Sequence, residues 1–355
     1  MFLFRMRALA LVFFYVFTLG AASGAMSGTA VEKYIQKKLN RNDKTLRINE
    51  KNLGDSGLAV LAQSPLVGSV TTLVLYKVHI SDEGIRALAE SPNLKNLQAL
   101  HLEHNFITDK GVEIISNSET FSNLKILNLY HNQITDAGAK AIAGSDTLTQ
   151  LTELNLNYNL IKGPGAIELT RSKKLRQLHN IQLAYNPIEE SGKKAWKRFQ
   201  LMEWFKDLHR NNRLNQVGEA LIGDFGVMVL LDFPFVSELE TLDLNNNGLT
   251  DEAVIALSQS KRLNSLVSLN LSQNNITDAG AQALGRSQNL ERLTTLNLNF
   301  NRIGDEGARA IAESSRLANL ESLKLGQNKI GTEGARALHE SENLKNLTHP
   351  IFGFY

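Results

Sequence analysis

The sequence predicts an α/β solenoid of about 12 turns, in which one short unit is repeated along the chain. The first observation is an anchor leucine or isoleucine that recurs in steps of 27, at positions 46, 73, 100, 127, 154 and 181 and again at 242, 269, 296 and 323. The second is the pattern that follows the anchor, Leu-x-Leu-x-x-Asn-x-Ile-Thr-Asp-x-Gly-Ala, which is clearest from Leu127 to Ala139. Each unit therefore begins with strand-like alternation and continues with helical spacing.

Each unit is predicted to place a short strand beside a helix. Alternation sends both leucines of the Leu-x-Leu pair into the core. Thr135 or Thr277 is expected to cap the helix, and the aspartate that follows lies near the positive end of that helix. The glycine and alanine of the motif are expected to let the helix approach the sheet closely. A serine recurs at one position of the unit, from Ser64 through Ser145 to Ser341, so regularly that we interpret it as structural.

The motif resembles the leucine-rich repeat family, in its ribonuclease-inhibitor-like, Gly-Ala-rich subtype of bacterial type. The resemblance covers roughly residues 46–349. It implies a horseshoe with the parallel sheet on its concave side and the helices on its convex side. It also implies that the motif asparagines turn inward and bond the backbone of the neighbouring turn; they are Asn105, Asn132, Asn159, Asn186, Asn247, Asn274, Asn301 and Asn328. The usual role in that family, binding a protein partner on the concave sheet, is the function that the resemblance implies.

Composition and charge narrow the classes of function. The formal net charge is +2, and two arginines lie close to the N-terminus, so the rest of the chain is close to neutral. This balance gives no electrostatic reason to expect a nucleic acid partner. The absence of cysteine excludes disulfides, thiolate metal sites and a cysteine nucleophile. No phosphate-binding glycine loop or His-Glu-x-x-His motif is present, so we predict no cofactor, no small-molecule substrate and no enzyme activity.

Residues 1–25 have the features of a signal peptide. Arg5 and Arg7 form a basic start, Ala8–Leu19 is an uncharged apolar run, and small residues follow in Gly20–Ala25. We expect cleavage after this segment and a secreted or periplasmic protein. The alternative is an uncleaved segment that anchors the protein in a membrane.

The two ends of the array are expected to differ from the repeats. Residues 26–45 are predicted to form an N-terminal helical cap, because Val31 and Ile35 recur at helical spacing and terminal repeats need a polar cover. Residues 350–355 are predicted to form a truncated terminal strand with an uncovered edge. Self-association, a docking partner or an aromatic plug would each cover that edge.

An irregular stretch, residues 193–241, interrupts the array. The step from Ile181 to Leu242 is longer than two regular periods, so the chain carries an insertion here. We predict one degenerate repeat within the stretch, matched by Trp204, Asp207, His209, Asn212, Leu214 and Gly218.

That degenerate repeat would put Asp207 and His209 on a strand and make the solenoid continuous from Leu46 to Phe352. The inserted residues would then lie within Ala220–Phe235, which contains an apolar run. We interpret this run as core, because apolar runs are usually buried. An exposed surface for a partner is the alternative.

The concave face is the candidate binding surface. One column of about 14 Å, at the same position in four successive repeats, consists of His104, His131, Tyr158 and Tyr185. Later repeats carry mostly amides there. Aromatic side chains with polar tips are typical of interface hot spots; stacking that only stabilises the sheet is the alternative. The predicted partner-binding residues are Tyr76, His101, Glu103, His104, Tyr130, His131, Asn157, Tyr158 and Tyr185.

These observations favour an exported, non-enzymatic protein that binds a protein partner, as a bacterial effector or as a surface interaction protein. A membrane-anchored structural or adhesive surface protein is the alternative, and retention of the N-terminal segment would distinguish it. A metal enzyme built on His101, Glu103, His104 and His131 is a third hypothesis. A metal site needs three or four converging ligands, so a solvated binding face is favoured over it.

Overall fold

The computed structural model describes residues 26–39 and 44–348. The predicted signal peptide and the predicted strand at 350–355 lie outside the described residues. The chain forms two compact units, Met1–Trp196 and Lys197–Tyr355. Each unit has its own parallel sheet. Within residues 26–39 and 44–348, no helix combines the length and the apolar character needed to cross a bilayer.

The first unit alternates strands and helices. Its helices are α1 (Gly28–Leu39), α2 (Gly54–Gln63), α3 (Asp82–Ala89), α4 (Asp109–Asn117), α5 (Asp136–Ala143) and α6 (Gly163–Thr170). Its strands are β1 (Thr45–Asn49), β2 (Thr72–Tyr76), β3 (Ala99–His101), β4 (Ile126–Asn128), β5 (Glu153–Asn155) and β6 (Asn180–Gln182), which pair in this order. Leu73 pairs with Leu100 and Leu100 with Leu127, so the period of the sequence is the register of the sheet.

The second unit repeats this arrangement after α7 (Glu190–Arg210), the helix in which the division between the units falls. Its further helices are α8 (Gly223–Leu231), α9 (Asp251–Gln259), α10 (Asp278–Gly285), α11 (Asp305–Ala312) and α12 (Thr332–His339). Its strands are β7 (Thr241–Asp243), β8 (Ser268–Asn270), β9 (Thr295–Asn297) and β10 (Ser322–Lys324), and again residues one period apart are paired. The predicted α/β repeat fold with a parallel sheet is confirmed in both units.

The core of each repeat is built from the motif leucines. Leu127, Leu129 and Ile134 are fully buried, and the helix that follows buries Ala139 and Ile142. The side chains that alternate with these leucines are only partly covered, and they form what we call the open face of the sheet, the face away from the helices. The predicted inward orientation of the leucine pair is confirmed.

The asparagine column forms a ladder of buried hydrogen bonds between repeats. Asn132 Nδ2 donates to the carbonyl oxygens of Leu102 at 3.0 Å and Leu129 at 3.1 Å. Its Oδ1 accepts from the backbone N–H of Ile107 at 3.1 Å. Leaving such buried groups without partners costs about 1–3 kcal/mol, so this column joins each repeat to the preceding one. The inward role implied for the asparagines is confirmed.

A second ladder, which the sequence did not predict, joins the helix starts. Asp109 Oδ1 accepts from the backbone N–H groups of Thr135 at 2.8 Å and Gly138 at 2.9 Å, and Oδ2 accepts from the Thr135 hydroxyl at 2.6 Å. A Cβ at position 138 would lie 2.6 Å from Asp109 Oδ1. The glycine therefore leaves room for the aspartate of the preceding repeat. Thr135 also caps its helix as predicted, accepting from the N–H of Ala137 at 3.3 Å.

The recurrent serine forms a third ladder. Ser145 Oγ donates to the carbonyl oxygen of Ser116, in the preceding repeat, at 2.6 Å. The same bond to the preceding repeat is made by Ser91, Ser118, Ser172, Ser287, Ser314 and Ser341. The interpretation of these serines as structural is confirmed.

The predicted strand at Asp207 and His209 is wrong, because both residues lie within α7. As a strand, this segment would have buried an aspartate and a histidine in the core. As a helix, it buries Phe205 and Leu208 instead and leaves Asp207 to pair with Arg213 at 2.7 Å. We also predicted that this repeat would contribute a strand and so make the array continuous from Leu46 to Phe352. That prediction is wrong, because the hydrogen-bonded strands of the described residues form one sheet of six and one sheet of four.

The insertion is also placed differently from the prediction. Val217, Ile222 and Asp224 stand one period before Leu244, Leu249 and Asp251, and they take the same roles. Val217 and Ile222 are buried, and Asp224 accepts from Thr250 as Asp109 does from Thr135. The regular register thus resumes before α8, and the added length lies in the region of α7. The apolar run that follows is core, as favoured: Val227, Val229 and Leu230 are buried.

The first part of α7 contributes one bond to the last strand of the first sheet. The indole Nε1–H of Trp196 donates to the carbonyl oxygen of Ile181 in β6 at 2.9 Å. A strand edge exposes backbone groups that can pair with another chain, so this bond satisfies one of them.

Candidate partner-binding surface

The candidate residues lie where the strands end. The backbone nevertheless keeps the pairing of the sheet through this segment: the N–H of His104 donates to the carbonyl oxygen of Tyr130 at 3.0 Å, and that of His131 to Asn157 at 2.9 Å. Side chains at the same position of successive repeats are therefore held at the spacing of neighbouring strands, about 4.8 Å.

The column of four predicted from the sequence adopts left-handed backbone conformation. The φ angles are 55° for His104, 53° for His131, 56° for Tyr158 and 60° for Tyr185. The same position is left-handed in other repeats, at Glu50, Lys77, Asn246, Gln273, Phe300 and Gln327. Tyrosine is disfavoured there relative to asparagine. No glycine marks this position; the amino-acid types that are enriched in this conformation occur only in some repeats, at His104, His131 and Asn246.

The aromatic side chains form one continuous cluster on the open face. His104 is 5.2 Å from both Tyr76 and Tyr130, measured between ring centroids, and stacks on His131 at 4.4 Å. Tyr158 is 5.1 Å from Tyr130 and stacks on Tyr185 at 4.1 Å. We call this the tyrosine–histidine surface; it consists of Tyr76, Glu103, His104, Tyr130, His131, Tyr158 and Tyr185.

The exposure of this cluster increases along the sheet. Tyr158 is 39% exposed and Tyr185 is 71% exposed, whereas Tyr76, His104 and Tyr130 are half-buried among their neighbours. In the second unit the corresponding column holds one exposed aromatic residue among the described positions, Phe300. The concentration of exposed aromatic area on the sheet is thus a property of the first unit.

Glu103 is the carboxylate within this surface. It lies between Tyr76 and Tyr130, at the same position in the neighbouring repeats. Its Oε1 accepts from Asn128 Nδ2 at 2.6 Å and lies 3.5 Å from His101 Nδ1. Its Oε2 is buried without a hydrogen-bond partner. Such an atom is uncommon in folded proteins and needs a physical explanation.

Two side chains of the surface have displaced pKa values. The pKa of His104 is lowered, first by desolvation and then by the charges of His131 and Lys77, while Glu103 acts in the opposite direction. The pKa of Tyr158 is raised, first by desolvation and then by Tyr185. Packing of the rings therefore favours the neutral forms of both side chains.

The other two predicted residues take part in the sheet. His101 is the last residue of β3, and its Nδ1 lies 3.5 Å from Glu103 Oε1. Asn157 Oδ1 accepts from the N–H of Ala184 at 2.7 Å, which ties two repeats together. Among the described histidines, aspartates and glutamates, no three side chains are grouped so that they could hold a metal ion.

The first unit also contains an open polar groove of about 610 Å³, away from the tyrosine–histidine surface. Two of its amides are structural. Asn96 Nδ2 donates to the carbonyl oxygen of Gly68 at 2.9 Å, and Asn123 Nδ2 to that of Lys95 at 3.0 Å. The groove is therefore lined partly by side chains that join one repeat to the next.

The geometry defines the class of protein. Buried leucine pairs, an inward asparagine ladder and a parallel register of one repeat per strand make this an α/β leucine-rich-repeat solenoid. A leucine-rich repeat family model matches seven segments of the chain, residues 93–116, 122–143, 147–169, 238–258, 262–285, 292–312 and 316–338. Both units therefore contain leucine-rich repeats, and the chain is a leucine-rich repeat protein.

Several solved structures are similar to this chain. An internalin from Listeria monocytogenes is 19% identical, with 93% of this chain and 90% of the internalin covered and a TM-score of 0.25. Internalin C2 from the same organism is 19% identical, with 84% of both chains covered and a TM-score of 0.24. A leucine-rich-repeat protein of Leptospira interrogans is 17% identical, with 81% of this chain and 79% of that protein covered and a TM-score of 0.29. No curated protein matches the sequence.

Proposed function

We propose that this protein, a leucine-rich repeat protein of the ribonuclease-inhibitor-like, Gly-Ala-rich bacterial type, is exported and binds a protein partner without catalysis. The partner is bound on the tyrosine–histidine surface. The observation that carries the proposal is the stacked aromatic column, in which Tyr158 and Tyr185 remain exposed. Tyrosine supplies a large contact area with little conformational freedom to lose, which suits a binding hot spot.

Backbone conformation adds a second argument for binding. A sheet that needed only stability and solubility would carry asparagine at a left-handed position, as the second unit does at Asn246. The first unit instead has tyrosine at two of these positions, Tyr158 and Tyr185, although asparagine is more favourable there. Selection for a contact surface would explain that choice.

The test is a comparison of two single substitutions in the purified protein. A partner is first identified by affinity capture and mass spectrometry, and its dissociation constant is measured by calorimetry. Tyr158→Ala is expected to weaken binding by about 2 kcal/mol or more, because a hot-spot ring is removed, while the melting temperature stays nearly constant. Phe300→Ala is the matched control, since it removes an exposed aromatic ring from the same left-handed position in the second unit.

The opposite result would assign the column to the scaffold. If Tyr158→Ala lowered the melting temperature and left the affinity at the wild-type value, cross-strand stacking would be its role, worth about 0.2–1 kcal/mol per pair. Equal loss of affinity in Tyr158→Ala and Phe300→Ala would show that binding is not confined to the first unit's aromatic column.

A further inference from the structure

The chemistry of Glu103 specifies what the tyrosine–histidine surface recognises. One carboxylate oxygen is held by Asn128, and the other is buried with no donor. Within the described part of the chain, no lysine or arginine forms an ion pair with this carboxylate; its one ion-pair neighbour is His101, at 3.5 Å. A buried carboxylate that lacks a donor is costly, and a donor supplied from outside the chain would remove that cost.

The surroundings of Glu103 are aromatic. Tyr76 and Tyr130 occupy the same position one repeat before and one repeat after it, and the His104 ring lies 5.2 Å from both. A ring face attracts a cation through its quadrupole, and the attraction grows when water is excluded. Glu103 thus offers a carboxylate oxygen without a donor, at a position that tyrosines occupy in the repeats on either side, and this combination suits a planar cation.

We propose that Glu103, Tyr76 and Tyr130 form a recognition site for an arginine side chain of the partner protein. The guanidinium group would donate an N–H to Glu103 Oε2 and stack on a tyrosine ring. This inference rests on the proposed function, because it names the chemistry of the partner bound there.

Arginine fits this site better than lysine for geometric reasons. The guanidinium group is planar, carries five donors and is more weakly hydrated than an ammonium group, so it can stack and hydrogen-bond at once. Oε2 is itself covered, so access requires a turn of the carboxyl group that also shifts Oε1 relative to Asn128. The terminal torsion of glutamate is soft, and the Glu103 side chain as a whole retains 17% exposure.

The probe is N-acetyl-arginine amide, with N-acetyl-citrulline amide as the neutral compound of the same shape. Each is titrated into the purified protein while the ring signals of His104 and His131 are followed by NMR. We expect a saturable shift with the arginine probe and binding of the citrulline probe about tenfold weaker, because the charge-assisted bond is lost. This comparison needs no substitution and is therefore independent of any effect on folding.

Two variants test the carboxylate itself. Glu103→Gln keeps the shape of the side chain and its oxygen for Asn128, and it is expected to weaken arginine binding about tenfold. Glu153→Gln is the matched control, because Glu153 is an exposed carboxylate on β5 of the same sheet. It should leave arginine binding unchanged.

The inference is overturned if arginine and citrulline bind equally, if no saturable shift occurs, or if both glutamine variants behave alike. These failures are distinguishable from failure of the proposed function. A partner whose binding is lost in Tyr158→Ala but unaffected by Glu103→Gln would leave the binding surface in place and remove the arginine site from it.

Discussion

Tyr158 and Tyr185 combine three features: exposure, stacking and a left-handed backbone. The backbone conformation is set by the turn, because the repeats adopt it at this position with side chains as different as lysine, asparagine and phenylalanine. The stacking follows from the register, which places successive rings one strand apart. Neither the turn nor the register requires an aromatic residue at this position. The aromatic residues are instead explained by the binding surface that we propose.

His104 gives a prediction about a single residue. Its pKa is lowered in the folded protein, so between that value and the ordinary value of about 6.5 the unfolded chain binds more protons than the folded one. The free energy of unfolding should therefore decrease as the pH falls from 7 through this window, and the loss should be complete below the folded-state pKa. NMR titration of the imidazole should give a midpoint below that of an unfolded histidine.

Urea unfolding at pH 7 and pH 5 measures the stability effect. His104→Gln should lose less stability between the two pH values than the wild type, because the group responsible has been removed. The control is His339→Gln, which changes an exposed histidine on α12. If both variants kept the pH dependence of the wild type, the shift of His104 would not contribute to stability.

Among the elements, the repeats are joined by bonds that run from one helix start to the next. In the first unit, the aspartate ladder consists of Asp55, Asp82, Asp109 and Asp136. The residue one period after Asp136 is Gly163, and a glycine has no side chain to accept the next bonds. Gly163 begins α6, and the next helix is α7. With 21 residues, α7 is longer than each of α1 to α6. The regular ladder thus stops where the regular helix stops.

Gly138→Ala tests this ladder. The new Cβ would lie 2.6 Å from Asp109 Oδ1 and 2.7 Å from Ile134 Cγ2, so the carboxylate must move and its bonds weaken. We expect a loss of about 1–3 kcal/mol in the free energy of unfolding, measured by urea denaturation. Gly144→Ala is the control, because its new Cβ would lie no closer than 3.4 Å to any neighbouring atom and the φ of Gly144 is −92°, which alanine adopts readily. Equal stability of the two variants would contradict the role given to Gly138.

For the whole molecule, the prediction is export. The basic start, the apolar run and the small residues of positions 1–25 predict cleavage by a signal peptidase. N-terminal sequencing of the mature protein should therefore begin near Ala25 or Met26. Recovery of an intact N-terminus from a washed membrane fraction would instead favour the anchored surface protein.

Local and periodic features could be predicted from the sequence. The leucine pair, the threonine cap and the recurrent serine each depend on residues within one repeat or on a neighbour at a fixed distance along the chain. Repetition then reproduces the same contacts, so Leu127 and Asn132 have the same environments as Leu154 and Asn159. The column from His104 to Tyr185 was predictable for the same reason.

Other features could not be predicted from the repeat pattern, because they depend on packing in the tertiary structure. Asp207 and His209 matched the repeat by spacing, yet a helix formed because it buries Phe205 and Leu208 and leaves the charged residues outside. The repeat, its strands and the position of the candidate surface follow from alternation and period, which are properties of the amino-acid order alone. The room that Gly138 leaves for Asp109 and the unpaired oxygen of Glu103 involve atoms of different repeats, and only the packing of one repeat on the next brings those atoms together.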